Sequence, residues 1–115
     1  MTSLGSQWID IGALDQIPLR GSRVVKTSAG CIAVFRTAAD TAFAIDDKCP
    51  HKGGPLSQGI VHDTAVTCPL HNWVISLETG LAQGADKGAV RTFPLKVEGG
   101  RLLLDIAQMT AAHAA

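Results

Sequence analysis

Two short stretches near the middle of the chain carry residue types that hold metals. Cys49-Pro50-His51-Lys52-Gly53-Gly54 offers a thiol and an imidazole as Cys-x-His, and Cys68-Pro69-Leu70-His71-Asn72-Trp73 offers the same pair as Cys-x-x-His. Sixteen residues separate His51 from Cys68. Thiolate and imidazole are soft and borderline ligands, and four of them in two compact loops read as one metal site. Two chemistries fit. A structural zinc takes Cys2His2 tetrahedrally, although such motifs usually place the Cys pair in one half and the His pair in the other. Here each half is mixed. That suits a [2Fe–2S] rhomb gripped between two loops, with the cysteines meeting at one iron and the histidines at the other.

The boxes Cys49-Pro50-His51 and Cys68-Pro69-Leu70-His71 resemble the two ligand boxes of the Rieske family. The resemblance runs from Trp8 to about Ile106. It implies that Cys49, His51, Cys68 and His71 ligate one Rieske-type [2Fe–2S] cluster. It also implies an all-β fold of antiparallel sheets with a small cluster-binding subdomain inserted in a β base. On that plan the base takes about residues 8–46 and 83–106, the cluster-binding unit about 47–82, and residues 107–115 form a frayed tail.

The charge count explains the choice of histidine. Two ferric ions, two sulfides and two thiolates sum to zero, so reduction leaves one negative charge. Neutral imidazoles in place of two thiolates raise the potential from roughly −400 mV to a range of about −150 to +300 mV. High-potential Rieske proteins resemble one another in two extra bridging cysteines and in Ser and Tyr hydroxyls near the second box. This chain has no cysteine at the bridging positions, and Trp73 and Ile75 stand where the hydroxyls would be. The low end of the range is therefore expected.

The stretch 49–61, the box 68–73 and Leu77-Glu78-Thr79-Gly80 are similar to the small subunit of NAD(P)H-dependent assimilatory nitrite reductase. Lys52-Gly53-Gly54-Pro55-Leu56 and the pair Asn72-Trp73 carry that preference. The implied partner is a large subunit with flavin, a [4Fe–4S] cluster and siroheme, which reduces nitrite to ammonium in nitrate assimilation. A Rieske ferredoxin serving an aromatic-ring-hydroxylating dioxygenase would share the ligand boxes, and a redox-silent zinc module is the third reading. With protein at all four metal positions, the chain alone is expected to carry electrons and to have no substrate site. Where this family covers its cluster with a proline-containing loop, Gln83 to Gly88 has no proline.

The elements that must position these boxes read as strands. Trp8 to Ile11 is extended, Pro18 and Gly21 mark a turn, and Val24-Val25 and Ile32-Ala33-Val34-Phe35 form two strands joined at Ser28-Ala29-Gly30. Phe43 and Ile45, alternating with Ala42 and Ala44, predict a strand delivering the chain to Cys49. Trp73, Ile75 and Leu77 predict one face of a strand ending at Thr79-Gly80. Phe93, Leu95 and Val97 alternate with polar residues up to Gly99-Gly100, which turns the chain into Arg101 to Asp105.

Composition narrows the function further. At 115 residues the chain is one domain with a modest core. Ten basic residues balance ten acidic ones, which gives no electrostatic footprint for nucleic acid or a membrane surface. The first residues lack a basic-then-apolar secretory pattern, and no apolar run is long enough to span a bilayer. Three cysteines, two of them assigned to metal, leave no disulfide pair, so a cytoplasmic protein is expected. Cys31 reads as a small buried hydrophobe and His62 as a surface turn residue. His113 lies in the tail, and Asp46 and Asp47 read as turn caps before the first box.

Overall fold

The computed structural model describes residues 8–27, 30–49, 54–69, 72–83, 88–105 and 110–111. Within them the chain forms eleven strands: β1 (Trp8–Ala13), β2 (Ser22–Thr27), β3 (Gly30–Arg36), β4 (Ala42–Asp46), β5 (Ile60–His62), β6 (Ala65–Thr67), β7 (Val74–Ser76), β8 (Arg91–Phe93), β9 (Leu95–Glu98), β10 (Arg101–Asp105) and β11 (Thr110–Ala111). Two single 3-10 turns, Leu14–Gln16 and Leu56–Gln58, are the only helical elements among the described residues. None is long and apolar enough to cross a membrane.

The strands make three antiparallel sheets, ordered β1-β10-β9, β11-β8-β4-β3-β2 and β5-β6-β7. The five-stranded sheet carries a hydrophobic core on each face. Ile32 and Val34 of β3 and Ala44 of β4 pack with Ile17, Phe93, Leu102 and Leu104. Ala33, Phe35 and Ile45 point the other way and pack with Leu56, Val61, Val66, Ile75, Leu77, Cys49 and Cys68. This is why β3 reads as an unbroken apolar run: a strand covered on both faces has no solvent side to mark with polar residues.

The hairpin β9–β10 forms as predicted, with Glu98 opposite Arg101. Gly99 and Gly100 both take positive φ, +59° and +79°, as a two-residue type I′ connection requires. Upstream the expected single strand divides. Phe93 ends β8 in the five-stranded sheet, Pro94 intervenes, and Leu95 starts β9 in the other sheet. Proline has no N–H for a ladder, so the chain changes sheet there and the alternation loses its meaning. Phe93 is buried whereas Val97 is 45% exposed.

Three further expectations are corrected. The strand after the second box is only Val74–Ser76, because Leu77 turns to donate its N–H to the Thr64 carbonyl at 2.8 Å. Ile75 and Leu77 remain buried, and Trp73 packs partly buried against them. Cys31 is exposed. It sits next to the start of β3, opposite Lys26, where the strand has not yet reached either core. Residues 110–111 of the supposed frayed tail pair with β8, Thr110 opposite Thr92, and so cover its otherwise open edge.

Gly59 has a steric role. A Cβ there would lie 2.2 Å from the backbone oxygen of Thr67 and 2.9 Å from a methyl of Val66. Gly59 thus lets the chain entering β5 lie against β6, one residue from Cys68. Gly59→Ala is expected to lower stability by about 1–3 kcal/mol, as overpacking does, read from urea unfolding. Wild-type stability in that variant would mean that β5 and β6 do not pack this closely.

Candidate metal centre

Each box is latched by its own cysteine. The Cys49 N–H donates to the Gly54 carbonyl at 2.8 Å, and the Cys68 N–H donates to the Trp73 carbonyl at 2.7 Å. The second loop closes because Asn72 takes a left-handed φ of +59°, a conformation that asparagine tolerates better than most residues. The Asn72-Trp73 pair therefore acts locally, Asn72 bending the backbone and Trp73 accepting the latch.

Both cysteines are 2% exposed, and both belong to the same apolar cluster as Leu56, Val61, Val66, Ile75 and Leu77. All three cysteines are free of disulfides. A thiolate in such surroundings is expensive without a cation, so two latched thiols entering one dry core form a donor pair suited to a soft metal. His51 and His71, with Pro50, Lys52, Gly53 and Leu70, lie outside the described residues, as do residues 84–87 of the proline-free loop. Among the described residues no three His, Cys, Asp or Glu side chains converge.

The other titratable candidates are engaged elsewhere. His62 is a half-buried strand residue rather than a turn residue, and its Nε2 lies 2.7 Å from the Thr67 hydroxyl. Asp47 is a cap, as expected: it accepts from the Ser57 N–H at 2.7 Å and from the Ser57 hydroxyl at 3.0 Å. Asp46 is not. Its carboxylate accepts from the Arg91 N–H at 2.8 Å and from Nη2 at 2.8 Å, with Nε also in reach. This hydrogen-bonded carboxylate raises the Arg91 pKa above its ordinary value. Asp46 ends β4 and Arg91 begins β8, so the pair ties together the two points where the segment bearing both boxes leaves and rejoins the five-stranded sheet. Sequence reasoning missed Arg91 because its partner lies 45 residues away.

The profile of the Rieske-like [2Fe–2S] domain matches residues 7–105. The chain belongs to this family. It is an electron-transfer domain, and its cofactor is a Rieske-type [2Fe–2S] cluster. One relative is the ferredoxin subunit of anthranilate 1,2-dioxygenase from Burkholderia cepacia, 32% identical over 102 residues, 88% of this chain and 94% of that one. The same fold occurs in the ferredoxin of carbazole 1,9a-dioxygenase from Nocardioides aromaticivorans (TM-score 0.78, 24% identity, 86% of this chain and 97% of that one). It also occurs in a Mycobacterium tuberculosis chain named as the small subunit of an NADH-dependent nitrite reductase (TM-score 0.78, 24% identity, 96% of this chain and 98% of that one).

No hydroxyl stands at positions 73 and 75, where Trp73 is partly buried and Ile75 fully buried. A Rieske site without those donors stabilises less negative charge. Its midpoint potential is expected below zero, in the lower part of a span of about −150 to +300 mV, by spectroelectrochemical titration. A value well above zero would contradict this reasoning.

Proposed function

We propose that this chain is the electron-transfer subunit of an NAD(P)H-dependent nitrite reductase, and that Cys49 and Cys68 hold one iron of its cluster while His51 and His71 hold the other. The cluster-binding unit is then about residues 47–82, set between base segments 8–46 and 83–106. When bound, the cluster takes up and releases one electron. The protein's part is to fix the donors, keep water from the sulfur side and present the nitrogen side to a partner.

The observation that carries the electron path is a change of environment within the second box. Cys68 is buried, whereas Pro69 and Asn72, on either side of positions 70–71, are exposed. One residue beyond the thiol the chain is at the surface. A ligating imidazole also has a second ring nitrogen to offer as a hydrogen-bond donor. Pro69, Lys52 and Leu70 would border that exit.

The nitrite assignment draws on the likeness over three stretches, 49–61, 68–73 and 77–80, and on a fold shared with the M. tuberculosis chain over nearly its whole length. Its implied partner is the large subunit with flavin, [4Fe–4S] and siroheme. A second reading is favoured by sequence identity: the B. cepacia relative serves a dioxygenase, so an oxygenase could be the recipient here. The partner decides. Nitrite turnover by the large subunit should rise on adding this chain and fall at least tenfold with His51→Ala at equal binding. Equal rates with both proteins would remove the cluster from the electron route. Turnover only with a non-haem oxygenase would favour the ferredoxin reading.

A further inference from the structure

We propose that Asp47 is a positioning residue for the cluster, closing the first ligand loop and opposing the added electron with its fixed charge. The inference rests on the ligand assignment above. Asp47 stands two residues before Cys49 and binds Ser57 with both oxygens, Oδ1 to the N–H at 2.7 Å and Oδ2 to the hydroxyl at 3.0 Å. Residues 47 and 57 are thereby pinned together around the whole first box. The Cys49 to Gly54 bond is a second closure nested inside this one.

Both ends of the outer closure are rooted in the five-stranded sheet. The Asp47 N–H donates to the Cys31 carbonyl at 3.1 Å, anchoring the loop's entry to β3. The Ser22 hydroxyl donates to the Ser57 carbonyl, anchoring its exit to β2. A charged acceptor makes the Asp47–Ser57 bonds stronger than neutral ones. The two flanks of the first box, residues 47 and 57, are therefore fixed by the fold itself, which shortens the loop left to close between them.

The charge matters as well as the geometry. Asp46 is paired with Arg91, whereas among the described residues no cation pairs with Asp47. Asp47 is half-buried, and a partly desolvated charge acts over a longer distance than an exposed one. Reduction adds one electron to a site with no net charge, so a carboxylate held nearby disfavours the reduced state. Exposed Lys48 opposes this from the next position but faces water, where screening weakens it.

Four variants of the cluster-loaded chain separate the parts. Asp47→Asn keeps groups able to bond Ser57 but removes the charge. Ser57→Ala deletes one of the two bonds and leaves the charge. Asp15→Asn makes the same change in net charge at an exposed site. Iron and labile sulfide per chain, the rate of cluster loss to a chelator, and the midpoint potential are the readouts. Asp47→Asn should keep full iron and titrate at a more positive potential than wild type, while Asp15→Asn should not move. Ser57→Ala should lose its cluster severalfold faster, and Ser57→Thr should restore the rate. Equal potentials in Asp47→Asn and Asp15→Asn would overturn the charge role. A wild-type rate of loss in Ser57→Ala would overturn the loop role. Failure of the wild-type chain to bind iron would instead count against the ligand assignment.

Discussion

Two thiols buried in one apolar core are the constraint on which the rest of the structure depends. Cys49 and Cys68 are each only 2% exposed, and neither is in a disulfide. Each N–H is spent on latching its own loop, to Gly54 and to Trp73. Both sulfurs consequently sit at latched backbone positions, in a medium that favours a metal–thiolate bond over a free thiolate. Most of the fold serves to hold those two loops against one core.

The middle sheet does that work. It faces the core that holds both cysteines with Ala33, Phe35 and Ile45, and faces a separate core with Ile32, Val34 and Ala44. One sheet therefore joins the site to the β1-β10-β9 layer without any residue serving both. The Asp46–Arg91 pair closes the neck between β4 and β8. The side chain of Asp46 is only 15% exposed, so this ion pair is screened less than those of the surface. The Asp10–Arg101 pair joining β1 to β10, by contrast, is about half exposed on both sides and is the kind that contributes little.

Much of this was legible in the sequence, for identifiable reasons. The two Cys/His boxes are local, three and four positions long, so residue type and spacing were enough to point to the family and its cofactor. The β3 run and the Gly99-Gly100 turn are local too, and both formed as read. What was not legible depended on partners far along the chain. Pro94 marks a change of sheet, which the alternation from Phe93 to Val97 concealed. Cys31 looked like a core residue, but its exposure follows from register, since it falls where β3 pairs with Lys26 beyond both cores. Nothing in the residues around Gly59 shows that it is required, because the requirement comes from the Thr67 backbone across the β5–β6 pair. Asp46 and Asp47 are adjacent and chemically identical, and only the fold sends one to Arg91 and the other to Ser57.

The proposed ligands divide by element, with sulfur on one iron and nitrogen on the other. Mössbauer spectroscopy of the chain loaded with isotopically enriched iron tests this division most directly. Two iron sites of equal abundance and distinct parameters are expected, with the electron added on reduction settling on the nitrogen-ligated one. Two equivalent irons, or a single tetrahedral ion per chain, would contradict it.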